Sequence, residues 1–442
     1  MGDVDRRQFT QSFAAVSLGV LAHPGSLRAA AAGRVVIIGG GPAGATVAVT
    51  LKRAVPGLSV TLIEPHKTYT SCFYSNHVIG GFLSFERISN SYEGLVSLGI
   101  DVVHDRADAI DAAKREVRLA QGKSVAYDRL VVAPGIGFKF GTIEGYTEAA
   151  TELMPHAWTG GQQTRLLRAR LEAMEDGGLV VIAAPRNPYK CPPGPYERAC
   201  LIANYLQREK PKSKVLILDP KMAFSKQAVF EEAFEKYYKG MIELQLTNDL
   251  DDMSVARVDP ATGEVETRSG ETFEASVANI IPDQTAGAIA LESGLTEGDW
   301  CPVHPESFRS TLVDDVYVLG DAVIAVDMPK SAFSAASQAR GVAANILADL
   351  AGKERPPAAY RNTCWSMLAP DDSVKIGADY APGDLKGKRG LVAKDPFISQ
   401  TGESAKLRKE NYEESLAWFL TLTDNMFAKS ASATGRVPGG RG

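Results

Sequence analysis

The chain has 442 residues, of which 45% are hydrophobic and 23% charged, and its formal net charge is −5. A chain of this length suits two or three domains rather than one core. The mild acidity excludes nucleic acid as a partner, since nucleic-acid-binding domains carry basic surfaces. After residue 33 no apolar run has transmembrane length, so we expect no integral membrane segment.

Residues 1–33 are typical of a twin-arginine export signal. Arg6 and Arg7 precede the moderately apolar residues 13–22, and the small residues 29–32 supply an A-x-A cleavage site. That pathway exports folded proteins, so we expect a periplasmic protein that acquires its cofactor before export. A disordered basic tail is the alternative interpretation.

Residues 34–64 carry the pattern of a dinucleotide-binding fold. A strand is predicted over residues 35–38, a helix over 45–52, and a second strand over 58–63 that ends at Glu64. The turn between the first strand and the helix has G-x-G-x-x-G spacing and contributes four predicted cofactor-binding residues: Gly39, Gly41, Ala43 and Gly44. Such glycines let the backbone close on a pyrophosphate, and an acid placed like Glu64 accepts hydrogen bonds from a ribose. An ordinary tight turn is the alternative.

Two later strand ends are predicted to complete this site. We expect residues 127–133 to form a hairpin with residues 117–119 and to end in a tight turn. A buried strand is predicted over residues 316–319, ahead of a helix over 335–350. The two strand ends add four predicted cofactor-binding residues: Ala133, Gly135, Gly320 and Asp321. A carboxylate in the last position accepts from the ribityl hydroxyls of FAD, and the following helix points its positive end at the flavin.

Residues 179–219 predict a second βαβ unit, with strands over 179–183 and 214–218 around a helix over 197–207. Its strand-to-helix loop has prolines where the fingerprint glycines would stand, and prolines remove N–H donors. We therefore expect a dinucleotide fold that has lost its nucleotide, with Cys191 in that place.

A last domain begins near residue 355, where the composition changes. Its helix is predicted over residues 406–427, with one apolar face that suits a core or a partner interface: Leu407, Tyr412, Leu416, Phe419, Leu420, Thr423 and Phe427. We assign the fold class α/β, with two Rossmann-like dinucleotide-binding domains, of which the FAD domain is discontinuous, and a C-terminal α+β interface domain. The predicted boundaries are 1–33 for the signal, 34–150 and 276–354 for the FAD domain, 151–275 for the second Rossmann-like domain, 355–429 for the C-terminal domain and 430–442 for a flexible tail.

The cysteines are spaced too widely for a metal site or a haem attachment. They are Cys72, Cys191, Cys200, Cys301 and Cys364, without any C-x-x-C or C-x-x-C-H motif. The six histidines show no ligand spacing either, so we expect no metal and no haem in this chain. Cys200 and Cys301 are expected to be buried small residues.

Four segments together resemble the flavoprotein subunit of flavocytochrome c sulfide dehydrogenase, a family of glutathione-reductase-like flavoproteins. They are Cys72 in the loop after Glu64, residues 191–198 (CPPGPYER), residues 328–331 (MPKS), and residues 362–364 (NTC) ahead of 368–370 (LAP). The resemblance implies that Cys72 is bonded to the 8α-methyl group of FAD and that Cys191 and Cys364 form a redox disulfide beside the flavin. A buried unreactive Cys72 and a purely structural disulfide are the alternatives.

The resemblance also implies roles for three further residues. Glu197 is a candidate proton acceptor or thiolate tuner, or else an ordinary acid at a helix N-terminus. Lys330 is a candidate charge partner of the reduced flavin, or else an ordinary surface lysine. Trp418 matches a family tryptophan near the flavin, although without the family it would be assigned to the core.

The implied activity is sulfide oxidation. Hydrosulfide attacks the disulfide and leaves a persulfide on one cysteine and a thiolate on the other. Two electrons then pass through FAD to a haem on a separate cytochrome c subunit, and sulfur or polysulfide is the product. We therefore expect a sulfide:cytochrome c oxidoreductase that works as a heterodimer.

Three alternatives stay open. A sulfide:quinone oxidoreductase shares this chemistry but needs a membrane-facing apolar patch, which the helix over 406–427 would supply if its apolar face pointed outward. A pyridine-nucleotide disulfide reductase or NADH oxidase would have glycines in place of Pro192, Pro193 and Pro195. A non-catalytic subunit would only relay electrons from a sulfur-carrying partner.

Overall fold

The computed structural model describes residues 32–247 and 252–429. The predicted export signal, except for its last two residues, and the predicted tail over residues 430–442 lie outside the described residues. Within the described part of the chain, no helix combines the length and the apolar character that a membrane crossing needs.

The described chain is a mixed α/β fold. Its strands, in chain order, are β1 (Arg34–Ile38), β2 (Ser59–Ile63), β3 (Thr68–Thr70), β4 (Ser89–Ser91), β5 (Asp101–Val103), β6 (Ala107–Asp111), β7 (Glu116–Leu119), β8 (Ser124–Ala126), β9 (Arg129–Val132), β10 (Ile136–Phe138), β11 (Leu179–Ala183), β12 (Lys214–Asp219), β13 (Ile242–Leu246), β14 (Val255–Asp259), β15 (Glu264–Thr267), β16 (Thr272–Glu274), β17 (Val277–Ile280), β18 (Gln284–Ala286), β19 (Cys301–Pro302), β20 (Val316–Val318), β21 (Val323–Ile324), β22 (Tyr360–Ala369), β23 (Asp372–Leu385) and β24 (Lys388–Ile398). Its α-helices are α1 (Pro42–Ala54), α2 (Ser75–Ile79), α3 (Glu93–Ser97), α4 (Gln162–Ala173), α5 (Gly194–Glu209), α6 (Gln227–Tyr237), α7 (Ala288–Glu292), α8 (Ala332–Leu350) and α9 (Ala405–Met426).

The first sheet is parallel, with the strand order β20-β9-β1-β2-β5. Its central strands are apolar runs, as expected for parallel strands that are covered on both faces. Helices α1 and α8 pack against each other. Because β20 comes from a much later stretch of the chain than its neighbours, the sheet is assembled from two separate segments.

The predicted hairpin between residues 117–119 and 127–133 was wrong. β7 pairs antiparallel with β8, whereas β9 lies parallel between β1 and β20. The residues between the two predicted strands supply a return strand of their own, so the buried run of β9 is left to join the main sheet. The segment after Glu64 that carries Cys72, where the sequence predicts a loop, contains β3 and is followed by α2.

The second sheet is also parallel, in the order β13-β12-β11-β17. Because β17 pairs with β11, the second domain extends beyond the boundary predicted at residue 275. The chain then returns to the first domain through β18, which pairs antiparallel with β10. The sequence does not mark the end of the second domain, because β17 follows the meander of β14, β15 and β16 without a change in composition.

The C-terminal part consists of the antiparallel sheet β22-β23-β24 and α9, which packs against β23. The side chain of Ser404 accepts a hydrogen bond from the N–H of Leu407 and so caps α9. The buried face of α9 is Arg408, Asn411, Ser415, Phe419, Leu422, Thr423 and Met426. The predicted apolar face was therefore partly wrong, because Arg408 turns inward to three carboxylates, while Leu407 is exposed and Tyr412, Leu416 and Leu420 are half-buried.

Candidate active site

A cleft of about 700 Å³ is lined by the ends of both parallel sheets and by the C-terminal sheet and helix. Every residue predicted for the site lines it except Gly44: Gly39, Gly41, Ala43, Glu64, Cys72, Ala133, Gly135, Cys191, Glu197, Gly320, Asp321, Lys330, Cys364 and Trp418. The structure therefore brings together side chains that are spread over the whole described chain.

The glycine turn needs glycine for two different reasons. Gly39 has a φ of +99°, and a Cβ added there would lie 2.3 Å from the carbonyl oxygen of Ala133. A Cβ on Gly44 would lie 1.9 Å from the carbonyl oxygen of Gly39, so Gly44 allows α1 to pack tightly under the turn. A Cβ on Gly41 would meet only the ring of Tyr69, at 3.6 Å or more, so the backbone there faces the open cleft.

Two carboxylates, those of Glu64 and Asp321, line the cleft. Glu64 accepts hydrogen bonds from the N–H groups of Gly40 at 2.9 Å and His66 at 3.0 Å, which fix its position beside the glycine turn. Asp321 lines the cleft, and its buried Oδ1 has no hydrogen-bond partner among the described residues. A buried carboxylate oxygen without a donor is costly unless a ligand supplies one. The open glycine turn and this acceptor fit an FAD that lies along the cleft.

Lys330 is buried and lines the cleft, so it is not an ordinary surface lysine, and its role as a charge partner of the reduced flavin stays a prediction. Its Nζ donates to the carbonyl oxygens of Asp321, at 3.0 Å, and Val323, and it lies 3.6 Å from the centre of the Trp300 ring. Burial lowers the pKa of Lys330 to about 7. The ammonium group of Lys330 is therefore held by two carbonyl oxygens and an aromatic ring of the protein.

Cys191 and Cys364 both line the cleft, and their sulfurs are close enough for each thiol to shift the pKa of the other. Cys191 has a φ of +55°, which few residues other than glycine adopt, and lies just ahead of α5, whereas Cys364 is in β22. All five cysteines are free thiols in this structure. This pair is the dithiol counterpart of the predicted redox disulfide, which stays a prediction.

The two thiols are not equivalent. The hydrogen bond between them and burial raise the pKa of Cys191 well above its usual range. The same hydrogen bond and the positive charge of Lys226 lower the pKa of Cys364 to about 7, against the opposing effect of burial. A single negative charge on the pair therefore resides on Cys364, with the thiol of Cys191 as its donor.

Glu197 lies in the first turn of α5 and is held by two donors. Its carboxylate accepts from the side-chain amide of Asn76 at 2.8 Å and from the N–H of Met367 at 2.9 Å. Burial raises its pKa. Its negative charge in turn raises the pKa of both redox cysteines, which is what a thiolate tuner would do.

Two lysines of this site are not indicated by the sequence. Lys190 Nζ lies 3.3 Å from Cys72 Sγ, and Lys226 Nζ donates to the carbonyl oxygen of Cys364 at 3.1 Å. Lys190 is next to a predicted site residue in sequence, but nothing in the pattern indicates that its side chain reaches Cys72. Lys226 lies outside every motif.

Trp418 belongs to an aromatic cluster at the cleft. Its ring is stacked on Phe333, with centres 5.7 Å apart, and lies 5.4 Å from Trp365 and 5.8 Å from Phe73. Trp418 packs against the hydrophobic core and also lines the cleft. Its place beside a flavin stays a prediction.

In the second domain, the acid at the end of β12 is bound by protein groups. The carboxylate of Asp219 accepts a hydrogen bond from the Tyr196 hydroxyl at 2.5 Å and forms an ion pair with Lys221. The Tyr196 ring is stacked on Phe224, with centres 3.6 Å apart. The acid that would receive a nicotinamide ribose is therefore bound to protein groups.

The remaining cysteines lie away from the cleft, and burial raises the pKa of both Cys200 and Cys301. In the described ranges no three side chains of His, Cys, Asp or Glu are placed to hold a metal ion.

Three family descriptions match the chain. "Sulfide dehydrogenase (flavocytochrome c) flavoprotein chain, central" matches residues 164–282, and "flavocytochrome c sulphide dehydrogenase, flavin-binding" matches residues 356–427. "Pyridine nucleotide-disulphide oxidoreductase" matches residues 33–171. The flavin-binding and oxidoreductase matches imply FAD as the cofactor.

Two individual relatives whose names refer to sulfide match parts of the chain. The sulfide dehydrogenase (flavocytochrome c) flavoprotein chain of Chlorobaculum thiosulfatiphilum is 47% identical over 45 residues, which cover 10% of this chain and 94% of that sequence. The sulfide-quinone reductase of Aquifex aeolicus is 35% identical over 122 residues, which cover 27% of this chain and 28% of that one. The chain thus matches little more than a quarter of the length of that reductase.

The fold has a close counterpart among solved structures. The sulfide:quinone oxidoreductase of Aquifex aeolicus superposes with a TM-score of 0.70 at 20% identity, over 91% of this chain and 94% of that one. This likeness confirms the predicted α/β fold class with Rossmann-like sheets.

Proposed function

The chain belongs to the family of flavocytochrome c sulfide dehydrogenase flavoprotein chains, and from this membership we propose that it oxidises sulfide at Cys191 and Cys364 and passes the electrons to a cytochrome c subunit. The observation that carries the proposal is that Cys191 and Cys364 line the same FAD-type cleft and that each thiol shifts the pKa of the other. Their segments are far apart in sequence, so only the fold joins them.

The protein's own groups would prepare the substrate reaction. In the oxidised protein, hydrosulfide attacks one sulfur of the disulfide, the S–S bond breaks, and a persulfide and a thiolate result. FAD, when bound, supplies a two-electron acceptor that can release its electrons singly. Gly39, Gly41, Glu64 and Asp321 would hold it, with Asp321 Oδ1 supplying an acceptor for a hydroxyl.

Attachment of FAD through Cys72 is part of the proposal. Cys72 lines the same cleft as the redox pair, and its sulfur accepts from Lys190. A mass measurement on the denatured protein tests it. We expect an FAD-sized increment that maps to the peptide with Cys72, and FAD that is released on denaturation would contradict attachment.

The proposed cellular location of the protein rests on residues outside the described part of the chain. Arg6, Arg7 and the following apolar run support export to the periplasm through the twin-arginine pathway. Replacing both arginines by lysine would then leave the protein in the cytoplasm, whereas unchanged export would contradict the assignment.

A quinone is the second candidate acceptor. It is favoured by the sulfide-quinone reductase relative and by the half-buried apolar residues Leu416 and Leu420 of α9. Like Leu83 and Phe85, these two residues pack against a small buried cluster outside the main core. Anaerobic assays with sulfide and either a c-type cytochrome or a soluble quinone analogue separate the two. We expect rapid reduction of the cytochrome; reduction of the quinone alone would assign the other acceptor.

A further inference from the structure

Lys226 places a buried positive charge behind one of the two redox cysteines. Its side chain is 3% exposed, and its Nζ donates to the carbonyl oxygen of Cys364 at 3.1 Å and to the hydroxyl of Ser366 at 2.7 Å. Both acceptors belong to β22. Lys226 has a φ of 65° at the start of α6, so the backbone that carries this charge is fixed by an unusual conformation.

The charge of Lys226 has no carboxylate at ion-pair distance among the described residues. None of the ion pairs found in the described ranges includes Lys226, and its electrostatic neighbours are Cys364, Glu197 and Cys191. Burial lowers the pKa of Lys226, while these neighbours favour its charged form. A buried ammonium of this kind is stabilised when an anion forms beside it, and the sulfur of Cys364 can become that anion.

Other charged groups face the pair, and two of them, Lys190 and Arg198, interact electrostatically with Cys191 but are hydrogen-bonded to other groups. Glu197 faces both sulfurs from α5, and Tyr380 faces Cys364 from β23. Lys190 is adjacent to Cys191 but donates to Cys72. Arg198 donates to four oxygens, those of the Asn76 and Asn279 side chains and of the His156 and Ala157 carbonyls.

We infer that Lys226 sets the polarity with which the disulfide opens, so that hydrosulfide attacks the sulfur of Cys191 and Cys364 leaves as the thiolate. This inference rests on the proposed function. A new S–S bond forms between the sulfide sulfur and Cys191, the Cys191–Cys364 bond breaks, and its electron pair remains on Cys364. The persulfide keeps the hydrogen of hydrosulfide, so the step needs no other oxidant or reductant.

The chemical reason is the leaving group. In thiol–disulfide exchange the thiol with the lower pKa leaves faster. Lys226 stabilises the anion of Cys364. The other cations near Cys191, Lys190 and Arg198, donate to Cys72 and to four oxygens, and the pKa of Cys191 is raised. Lys226 acts through Cys364 and is therefore a positioning residue.

The first test uses the reduced holoprotein without sulfide. Iodoacetamide is added anaerobically between about pH 5 and pH 9, and the labelled peptides are identified by mass spectrometry. We expect label on Cys364 before Cys191, with a Cys364 rate that levels off above about pH 7. Labelling of Cys191 first would overturn the inference.

Variants of Lys226 isolate its charge. In Lys226→Met the labelling rate of Cys364 at about pH 5 should fall about tenfold, since well below the pKa a rise of about one pKa unit lowers the thiolate fraction tenfold. Lys226→Arg should keep the order and most of the rate. Lys236→Met removes an exposed charge from the same helix and should change nothing. A Cys364 pH profile that is the same in Lys226→Met and the wild type would contradict the role of Lys226.

The second test uses the oxidised holoprotein with one equivalent of sulfide, followed by rapid alkylation. The additional sulfur should be found on the Cys191 peptide and a single alkyl group on Cys364. An additional sulfur on Cys364 would overturn the polarity. A disulfide that sulfide does not open would contradict the proposed function, whereas the labelling order measured without sulfide would still support the assignment of the thiolate.

Discussion

Lys190 Nζ lies 3.3 Å from Cys72 Sγ, so the loop that carries one redox cysteine also holds the cysteine predicted to bind FAD. The backbone of Lys190 is fixed on both sides, because its N–H donates to Gln284 and its carbonyl oxygen accepts from the Trp158 indole. The position of the Cys72 sulfur is therefore linked to the loop of Cys191.

Lys190→Met should reduce covalent attachment of FAD. Without the donor, the sulfur of Cys72 loses the contact that orients it, and a misplaced nucleophile reacts more slowly. The measurement is the fraction of denatured chains that carry the FAD mass soon after the protein is made. Lys67→Met removes an exposed lysine five residues before Cys72 and is the matched control. An unchanged fraction in Lys190→Met would show that the contact is not needed.

Glu197→Gln should shift the thiolate of Cys364 to lower pH. The carboxylate of Glu197 raises the pKa of both redox cysteines, so its neutral replacement lowers them, and more thiolate is present at any pH below the pKa. The pH profile of Cys364 alkylation measures the shift. Glu209→Gln, at the exposed end of the same helix, should leave the profile unchanged. A shift to higher pH would contradict a tuning role for Glu197.

Asp321→Ala should weaken binding of FAD that is not covalently attached. In a Cys72→Ser background we expect the Kd to rise about tenfold, or ~1.4 kcal/mol, because one hydrogen bond to a charged acceptor is lost. Fluorescence titration of the apoprotein measures the Kd. Asp314→Ala, which removes a fully exposed carboxylate, is the control. Equal Kd values for the two variants would mean that Asp321 Oδ1 does not contact the cofactor.

NADH should not reduce the bound flavin. The acid of the second domain is already bound by Tyr196 and Lys221, and its strand-to-helix loop has prolines in place of glycines. Anaerobic addition of NADH should leave the flavin absorbance unchanged, while dithionite bleaches it in the same cuvette. Bleaching by NADH would restore the pyridine-nucleotide reductase alternative.

The parts of the site that depend on local backbone could be predicted from the sequence. The spacing of Gly39 and Gly44 is dictated by a strand, a turn and a helix that are contiguous in the chain. The resemblance to a family then indicated that Cys191 and Cys364 act together, which spacing alone does not reveal.

The side chains that hold charge at the site depend on tertiary packing and could not be predicted. Lys226 lies 138 residues before Cys364 and reaches it only because the start of α6 is placed against β22. The buried face of α9 was mispredicted for a similar reason, since the inward turn of Arg408 is determined by carboxylates from other elements.

The other proposals depend on the oxidation of sulfide at the pair formed by Cys191 and Cys364. Its most direct test is anaerobic stopped-flow measurement of flavin absorbance after sulfide is mixed with the wild type, Cys191→Ser and Cys364→Ser. We expect rapid bleaching in the wild type and a loss of at least about a thousandfold in rate in either variant, as for residues that act as a unit. Bleaching of the flavin in Cys191→Ser at the wild-type rate would contradict sulfide oxidation at this cysteine pair. It would favour a subunit that only relays electrons.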